Sequence, residues 1–244
     1  MPTDSVFVRR RFRRRQTPPP MARFSPDGTQ ILTSHLNKVK LWQTSTGKLL
    51  HTLSKQYTPA ILGFSPDGSK VYADGGVLNM WDTKTGKWLL KNFSLRRSTN
   101  SYRQGFMGRA SVVFSPDGHY FVVRSHNFRD EIWDSRSMTL LHILNKDRYS
   151  TNVLFTSQGH RVITASDDGI VRVWHTQSGR LLCTLYACFA QDDAWVVTTP
   201  DGKYDGNVQG LRYIHYVKRN KTIAVSSQDK NRVKGLLKKV WGQF

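Results

Sequence analysis

The sequence predicts an all-β chain built from repeated four-stranded units. Three observations carry that expectation. The pentapeptide FSPDG occurs at 24–28, 64–68 and 114–118, and FTSQG at 155–159 is a drifted fourth copy. A tryptophan follows each leading Phe after 18, 17, 19 and 19 residues, at Trp42, Trp81, Trp133 and Trp174. Helical periodicity is absent from these units, whereas short alternating runs such as KVYADGG and RVITAS recur.

Each unit reads as four elements in order. A short apolar run ending on the Phe (AILGF, ASVVF, TNVLF) is the first strand. SPDG is the turn after it: Pro presets φ, Asp bonds its local backbone and Gly accepts positive φ. The alternating run is the second strand. The third, as in IVRVW, runs into the Trp. WQTSTGKLL, WDTKTGKWLL, WDSRSMTLL and WHTQSGRLL then turn back into a fourth. Gly47, Gly86 and Gly179 stand five residues after the Trp, where such a hairpin needs a left-handed residue; Met138 breaks that rule.

A period of about 40–45 residues with four strands and a late Trp-Asp resembles the WD-repeat family, over roughly 24–186. The resemblance implies a β-propeller, partial or small, with four recognisable blades plus a fragment. It also implies a non-catalytic scaffold for protein–protein interaction. The repeat residues it marks are Trp42, Trp81, Asp82, Trp133, Asp134, Asp168 and Trp174. Only Trp81-Asp82 and Trp133-Asp134 keep the full dipeptide. Asp168 matches the family's structural turn Asp, whose place elsewhere is taken by Leu36, Gly75 and Asn127. The usual upstream Gly-His is missing, so the stiffening tetrad is mostly absent and soft blades are expected. A second resemblance covers about 192–242. DDAWVVTTPDGKYDGN and VKGLLKKVWG are similar to the segment that closes the repeats in bacterial proteins joining a caspase-like peptidase to WD repeats. No peptidase domain fits in these 244 residues, so a split from such a protein is implied.

These readings divide the chain into a basic arm at 1–20, blades at 21–211 and a basic tail at 212–244. Units start near 24, 64, 114 and 155, with a partial fifth near 192. Four blades with the wedge of a seven-blade ring span only about 206° of arc. Both ends would then expose apolar surface of a size unusual for a monomer. The expectation is that the tail caps the C-terminal side, while the N-terminal side stays open to a protein partner or a second copy.

Lys and Arg number 37 against 17 Asp and Glu, a net charge of +20. The excess concentrates in the arm, in 94–109 and in the tail. Arg9, Arg10, Arg11, Arg13, Arg14, Arg15, Arg96 and Arg97 are candidate polyanion contacts, with nucleic acid the alternative partner. In the tail, Val233, Leu236, Leu237, Val240, Trp241 and Phe244 recur on one face of a helix. Ser226 and Asp229 offer a capping-box start, and Gly235 weakens the helix by about 1 kcal/mol relative to Ala. That face suits the chain's own sheet, a partner groove or an anionic membrane surface.

Catalytic, metal and cofactor sites are not expected. YACFA around Cys188, with His142 46 residues upstream, only faintly echoes a Cys nucleophile motif. Cys183 and Cys188 lack the further ligands a zinc site needs. No phosphate-binding or dinucleotide Gly motif occurs. Asp27, Asp67, Asp117 and Asp201 read as turn formers. Two cysteines and no apolar run of 18 residues point to a reducing, cytoplasmic setting without a membrane-spanning helix.

Overall fold

The computed structural model describes residues 20–35, 38–54, 61–74, 77–94, 112–124, 130–144, 152–166, 169–187, 193–218, 221–224 and 229–241. The first sheet is β1 (Met21–Phe24), β2 (Gln30–His35), β3 (Lys38–Gln43) and β4 (Leu49–Ser54). The second is β5 (Ile61–Phe64), β6 (Lys70–Asp74), β7 (Val77–Asp82) and β8 (Trp88–Ser94). The third is β9 (Val112–Phe114), β10 (Tyr120–Arg124), β11 (Asp130–Asp134) and β12 (Thr139–Ile143). All three are antiparallel in chain order. The fourth continues past its own four strands, β13 (Asn152–Phe155), β14 (Arg161–Ala165), β15 (Ile170–His175) and β16 (Leu181–Ala187). It also takes in β17 (Trp195–Thr198) and β18 (Tyr204–Gly206). The fragment expected to open a fifth unit near 192 thus pairs through β17 with the outer edge of the fourth sheet. β19 (His215–Lys218) and β20 (Lys221–Ala224) form a separate hairpin. The helices are α1 (Val208–Leu211) and α2 (Leu236–Trp241).

The turn chemistry is the repeat's most regular feature. Ser25, Ser65 and Ser115 each donate to the Asp two residues on, at 2.6, 2.5 and 2.5 Å. The same hydroxyls accept the amides of Gln30, Lys70 and Tyr120, each at 2.9 Å. In the drifted fourth copy Thr156 does the accepting, from Arg161 at 3.3 Å. Gly47, Gly86 and Gly179 hold φ of 68°, 67° and 63°. Met138 keeps the backbone of that rule although its side chain departs from it: its φ is 57°, and its amide donates to Asp134 O at 3.0 Å, as Gly86 does to Asp82 O at 2.9 Å. The turn imposes the conformation whichever residue fills it. Met138 is tolerated there because its side chain packs on the core between the second and third sheets.

The hydrophobic core lies between sheets. Side chains alternate across each strand, so every sheet has a face carrying its Trp and an opposite face. Leu32, Val39, Leu41 and Leu53 of the first sheet cover Leu62, Val71, Ala73 and Trp81 of the second. Leu78 and Met80 cover Val112, Phe121, Val123 and Trp133 of the third. Val122, Ile132 and Leu144 cover Val153 and Val162 of the fourth, with Phe155 and Trp174 at the margin. Each joint therefore sets the opposite face of one sheet on the Trp face of the next.

The tail ends this series. Leu236 and Val240 of α2, with Val233 and Leu237, pack on Val173, Leu182, Cys183 and Val197 of the fourth sheet. Of the three surfaces that this apolar face suits, it therefore meets the chain's own sheet. Trp241 remains exposed, and Phe244 lies outside the described residues. The helix is also shorter than its apolar pattern suggests. Gly235 has φ 71°, which ends any helix running through it, so the ordered turns start at Leu236. The cap is not Asp229, whose side chain accepts from Asn231 at 2.8 Å in a preceding turn. Ser226 lies outside the described residues.

Candidate interaction surfaces

The repeat tryptophans occupy one register: Trp42 faces Ile31, Trp81 faces Val71, Trp133 faces Phe121 and Trp174 faces Val162. The residue two positions along the second strand decides whether the indole N–H is satisfied. Trp42 Nε1 donates to Thr33 Oγ1 at 2.8 Å and Trp174 Nε1 to Thr164 Oγ1 at 3.0 Å. In the third sheet that position is Val123, and Trp133 Nε1 turns to Glu131 Oε2 at 3.3 Å. In the second it is Ala73, and Trp81 Nε1 is buried without a partner. Half of the stiffening network therefore survives in two sheets, a Thr nine or ten residues before the Trp being its sequence signal. Asp82 and Asp134 are used locally: each accepts from the third residue on, Thr85 N at 2.7 Å and Ser137 N at 2.6 Å. Asp168 and all eight arginine candidates, Arg9 to Arg15, Arg96 and Arg97, lie outside the described residues.

Two histidines latch neighbouring sheets together. His51 on β4 reaches the turn of the second sheet, its Nε2 3.2 Å from Lys84 O. His142 on β12 does the same to the fourth, 2.8 Å from Gln177 O. Each ring rests on the left-handed glycine of that turn. A Cβ on Gly86 would stand 2.8 Å from His51 Nδ1, and one on Gly179 2.5 Å from His142 Cγ. Where the slot holds Met138 instead, Leu90 of the preceding sheet packs on the same core and no His is needed. His142, a weak nucleophile-partner candidate in the sequence, is thus a structural latch; LLH nine residues after Trp42 and Trp133 is its signal.

The carboxylates of the turns are held ionised. The Ser25 hydroxyl, then the Thr29 amide, pull Asp27 below the usual range. At Asp67 and Asp117 burial pushes upward, but Ser65 and Ser115 with the following amides outweigh it. Asp201 is drawn down to about 2 by Lys203 and Thr199. These acids are spent on backbone geometry, as expected of turn formers. Burial pushes the Cys183 thiol up to about 11, which leaves it unreactive. Cys188 lies outside the described residues. Among the described residues no cluster of His, Cys, Asp or Glu has the makings of a metal site.

Two of the apolar surfaces exposed among the described residues follow the repeat. The first is the Trp face of the first sheet. Phe24 is 64% exposed, whereas Phe64, Phe114 and Phe155 are half-buried at the same position. Ala22 is exposed where Leu62, Val112 and Val153 are buried, and Ile31 is half-buried where Val71, Phe121 and Val162 are fully buried. The second is a row on the outer strands: Leu49, Trp88 and Leu140, each seven residues after its Trp and about 40% exposed (39%, 41% and 42%). Trp88 lies tilted against Trp81, ring centroids 4.6 Å apart, and carries Lys91 Nζ at 5.5 Å.

Residues 139–175 match the family model described as WD domain, G-beta repeat. The fold is a WD-repeat β-propeller. The matched stretch begins on β12 and ends on β15, so the WD-repeat sequence unit straddles two blades. The chain is 23% identical over 208 residues to Echinoderm microtubule-associated protein-like 3 of Mus musculus, covering 78% of this chain and 22% of that one. It is 23% identical over 175 residues to COMPASS component SWD3 of Saccharomyces cerevisiae, covering 65% and 55%. The chain thus spans about a fifth and about half of these WD-repeat relatives. Among solved structures it is similar to the computationally designed Ika8 protein, at 20% identity, with 75% of this chain and 56% of that one covered and a TM-score of 0.48. No helix among the described residues is long and apolar enough to cross a membrane.

Proposed function

We propose that the chain is a non-catalytic WD-repeat scaffold that binds a protein partner along its outer strands, in a reducing, cytoplasmic setting. The observation that carries this reading is the row Leu49, Trp88 and Leu140. Three successive blades present a large apolar side chain at one exposed position, and exposed aromatics are the anchors on which interface energy concentrates. The turn acids and the latching histidines are engaged in the blades themselves, which leaves the rim free for recognition. The likeness of 192–242 to the closing segment of peptidase–WD proteins supports descent from a split protein of that kind.

The test compares complexes recovered from producing cells with the wild-type chain and with Trp88→Ser. A partner that survives high salt and is lost with Trp88→Ser supports the reading; equal recovery of every partner by both chains rejects it. A second reading rests on the net charge of +20: the basic arm and tail bind a polyanion. Contact with about six phosphates gives a log–log salt slope near −5, which deletion of residues 1–16 abolishes if the arm carries it. A flat salt dependence rejects that reading.

A further inference from the structure

Three joints inside the chain define one interface type, in which the opposite face of a blade meets the Trp face of the next. Among the described residues nothing covers the Trp face of the first blade in this way: Phe24 is 64% exposed and Ala22 is open. At the other end the opposite face of the fourth blade is only partly covered. α2 lies on Val173, Leu182, Cys183 and Val197, the β15–β17 part of that face. Leu154 of the inner strand, on the same face, stays 53% exposed. Phe24 and Leu154 thus mark the inner edges of two unmatched halves of one joint. At the first and third joints the corresponding inner strands lie side by side, β1 with β5 and β9 with β13. Across the second joint Tyr72 sits 6.0 Å from Phe114, so Phe24 has a defined complement at Ile163 of a fourth blade. Lys40 does not bar such a joint, because Arg172 holds the equivalent position at the third one, where Trp174 packs at the core margin.

We propose that a second copy of this chain occupies the Trp42 face, seating its fourth blade there once its own α2 lifts. The inference goes beyond the rim reading and does not depend on it. α2 is then a plug that keeps copies apart. Its clamps suit that role: Asp205 holds its first amides, and Arg161 donates to Val240 O at 3.1 Å and Trp241 O at 2.8 Å. Two copies of four blades each make two identical joints and leave no open face, within the range of about four to eight blades at which propellers close. A repeated head-to-tail contact of this kind is closed when its rotation returns to the start.

The test uses the full chain carrying Leu236→Asp and Val240→Asp, with mass read by size-exclusion and light scattering. The wild type is expected as a monomer and the plug-lifted chain at twice that mass. Adding Ile31→Asp, or an excess of a peptide of residues 229–244, returns it to monomer. If the Asp pair costs the chain its β-sheet spectrum, the milder Leu236→Ala and Val240→Ala pair is read in the same way. A folded plug-lifted chain that stays monomeric overturns the proposal. So does assembly indifferent to Ile31→Asp, or a wild-type dimer. A monomer in every variant, together with a foreign protein lost on Ile31→Asp, would assign the face to another chain.

Discussion

Asp205 Oδ2 accepts the Gly235 amide at 2.7 Å, tying β18 to the start of α2 across thirty residues of chain. The same oxygen lies 3.4 Å from the Leu236 amide, and Oδ1 accepts from Gly206 N at 2.9 Å. One buried carboxylate thus caps the helix and braces its own strand. The chain between them is fixed at a second place, where Tyr204 N donates to Asn231 O at 3.0 Å and Val233 N to Tyr204 O at 2.9 Å.

Asp205→Ala removes that cap. Loss of an N-cap side chain costs about 0.5–2 kcal/mol, and a chain of this size shifts by about 2–4 °C per kcal/mol. Thermal unfolding followed by circular dichroism should show a fall of a few degrees, with tryptic cleavage at Lys238 and Lys239 accelerated. Asp205→Asn, which keeps an acceptor, should lose less. An Asp205→Ala chain as stable and as resistant as the wild type would remove the cap from the account.

Trp81 offers a gain. Its buried Nε1 has no partner because Ala73 stands where Thr33 and Thr164 serve the other blades. Ala73→Ser supplies the acceptor and should add about 0.5–1.5 kcal/mol. In the converse case Thr164→Val strands the Trp174 indole and should cost about 1–3 kcal/mol. Denaturant midpoints moving in the same direction for both variants would contradict this pairing.

The histidine latch separates two effects at glycine. Gly47→Ala meets only its positive φ, since nothing lies within 4 Å of the added Cβ; a left-handed non-glycine residue costs about 1–2 kcal/mol. Gly179→Ala meets the same φ cost and also the His142 ring. It should therefore be the more damaging, and His142→Ala should recover the difference. A double-mutant cycle with no coupling between positions 142 and 179 would show that the ring does not rest there.

Acid should loosen the turns. Asp27, Asp67, Asp82, Asp117 and Asp134 all have folded pKa values held below 3.8. Groups depressed on folding contribute stability above their unfolded value and lose it as pH falls through the folded one. The main decline should therefore come below about pH 4, and the Asp201 share between that and about 2. His175, lowered by burial and then by Arg180, adds a shallower loss below its ordinary value of 6.5. A His175→Gln chain should lose the shallower decline that His175 contributes and keep the main one below about pH 4. A decline already complete at pH 5 would contradict it.

What the sequence displayed was local chemistry. SPDG, the residue five after each Trp and the alternating runs act within a few positions, so the turns and strands around Ser25, Gly86 or Trp133 were readable from the local sequence. What it hid depends on contacts across the fold. The short α2 and its cap follow from a carboxylate thirty residues earlier and from the φ of Gly235, not from the apolar spacing that runs on to Phe244. The joining of β17 and β18 to the fourth blade was masked by TPDG, the same turn wording that opens a unit elsewhere. Turn wording sets a hairpin but does not choose the sheet that hairpin joins. The latches of His51 and His142 were visible as repeated LLH but carried no meaning until the glycines beneath them were placed.

α2 caps the propeller at its fourth blade, and among the described residues nothing covers the Trp face of its first. Hydroxyl-radical footprinting of the dilute monomer reads both ends of the blade series at once. Phe24 should be modified much faster than Phe64, Phe114 and Phe155, while Leu236 and Val240 stay protected. Equal protection of all four phenylalanines in the monomer, or rapid modification of Leu236, would contradict the account.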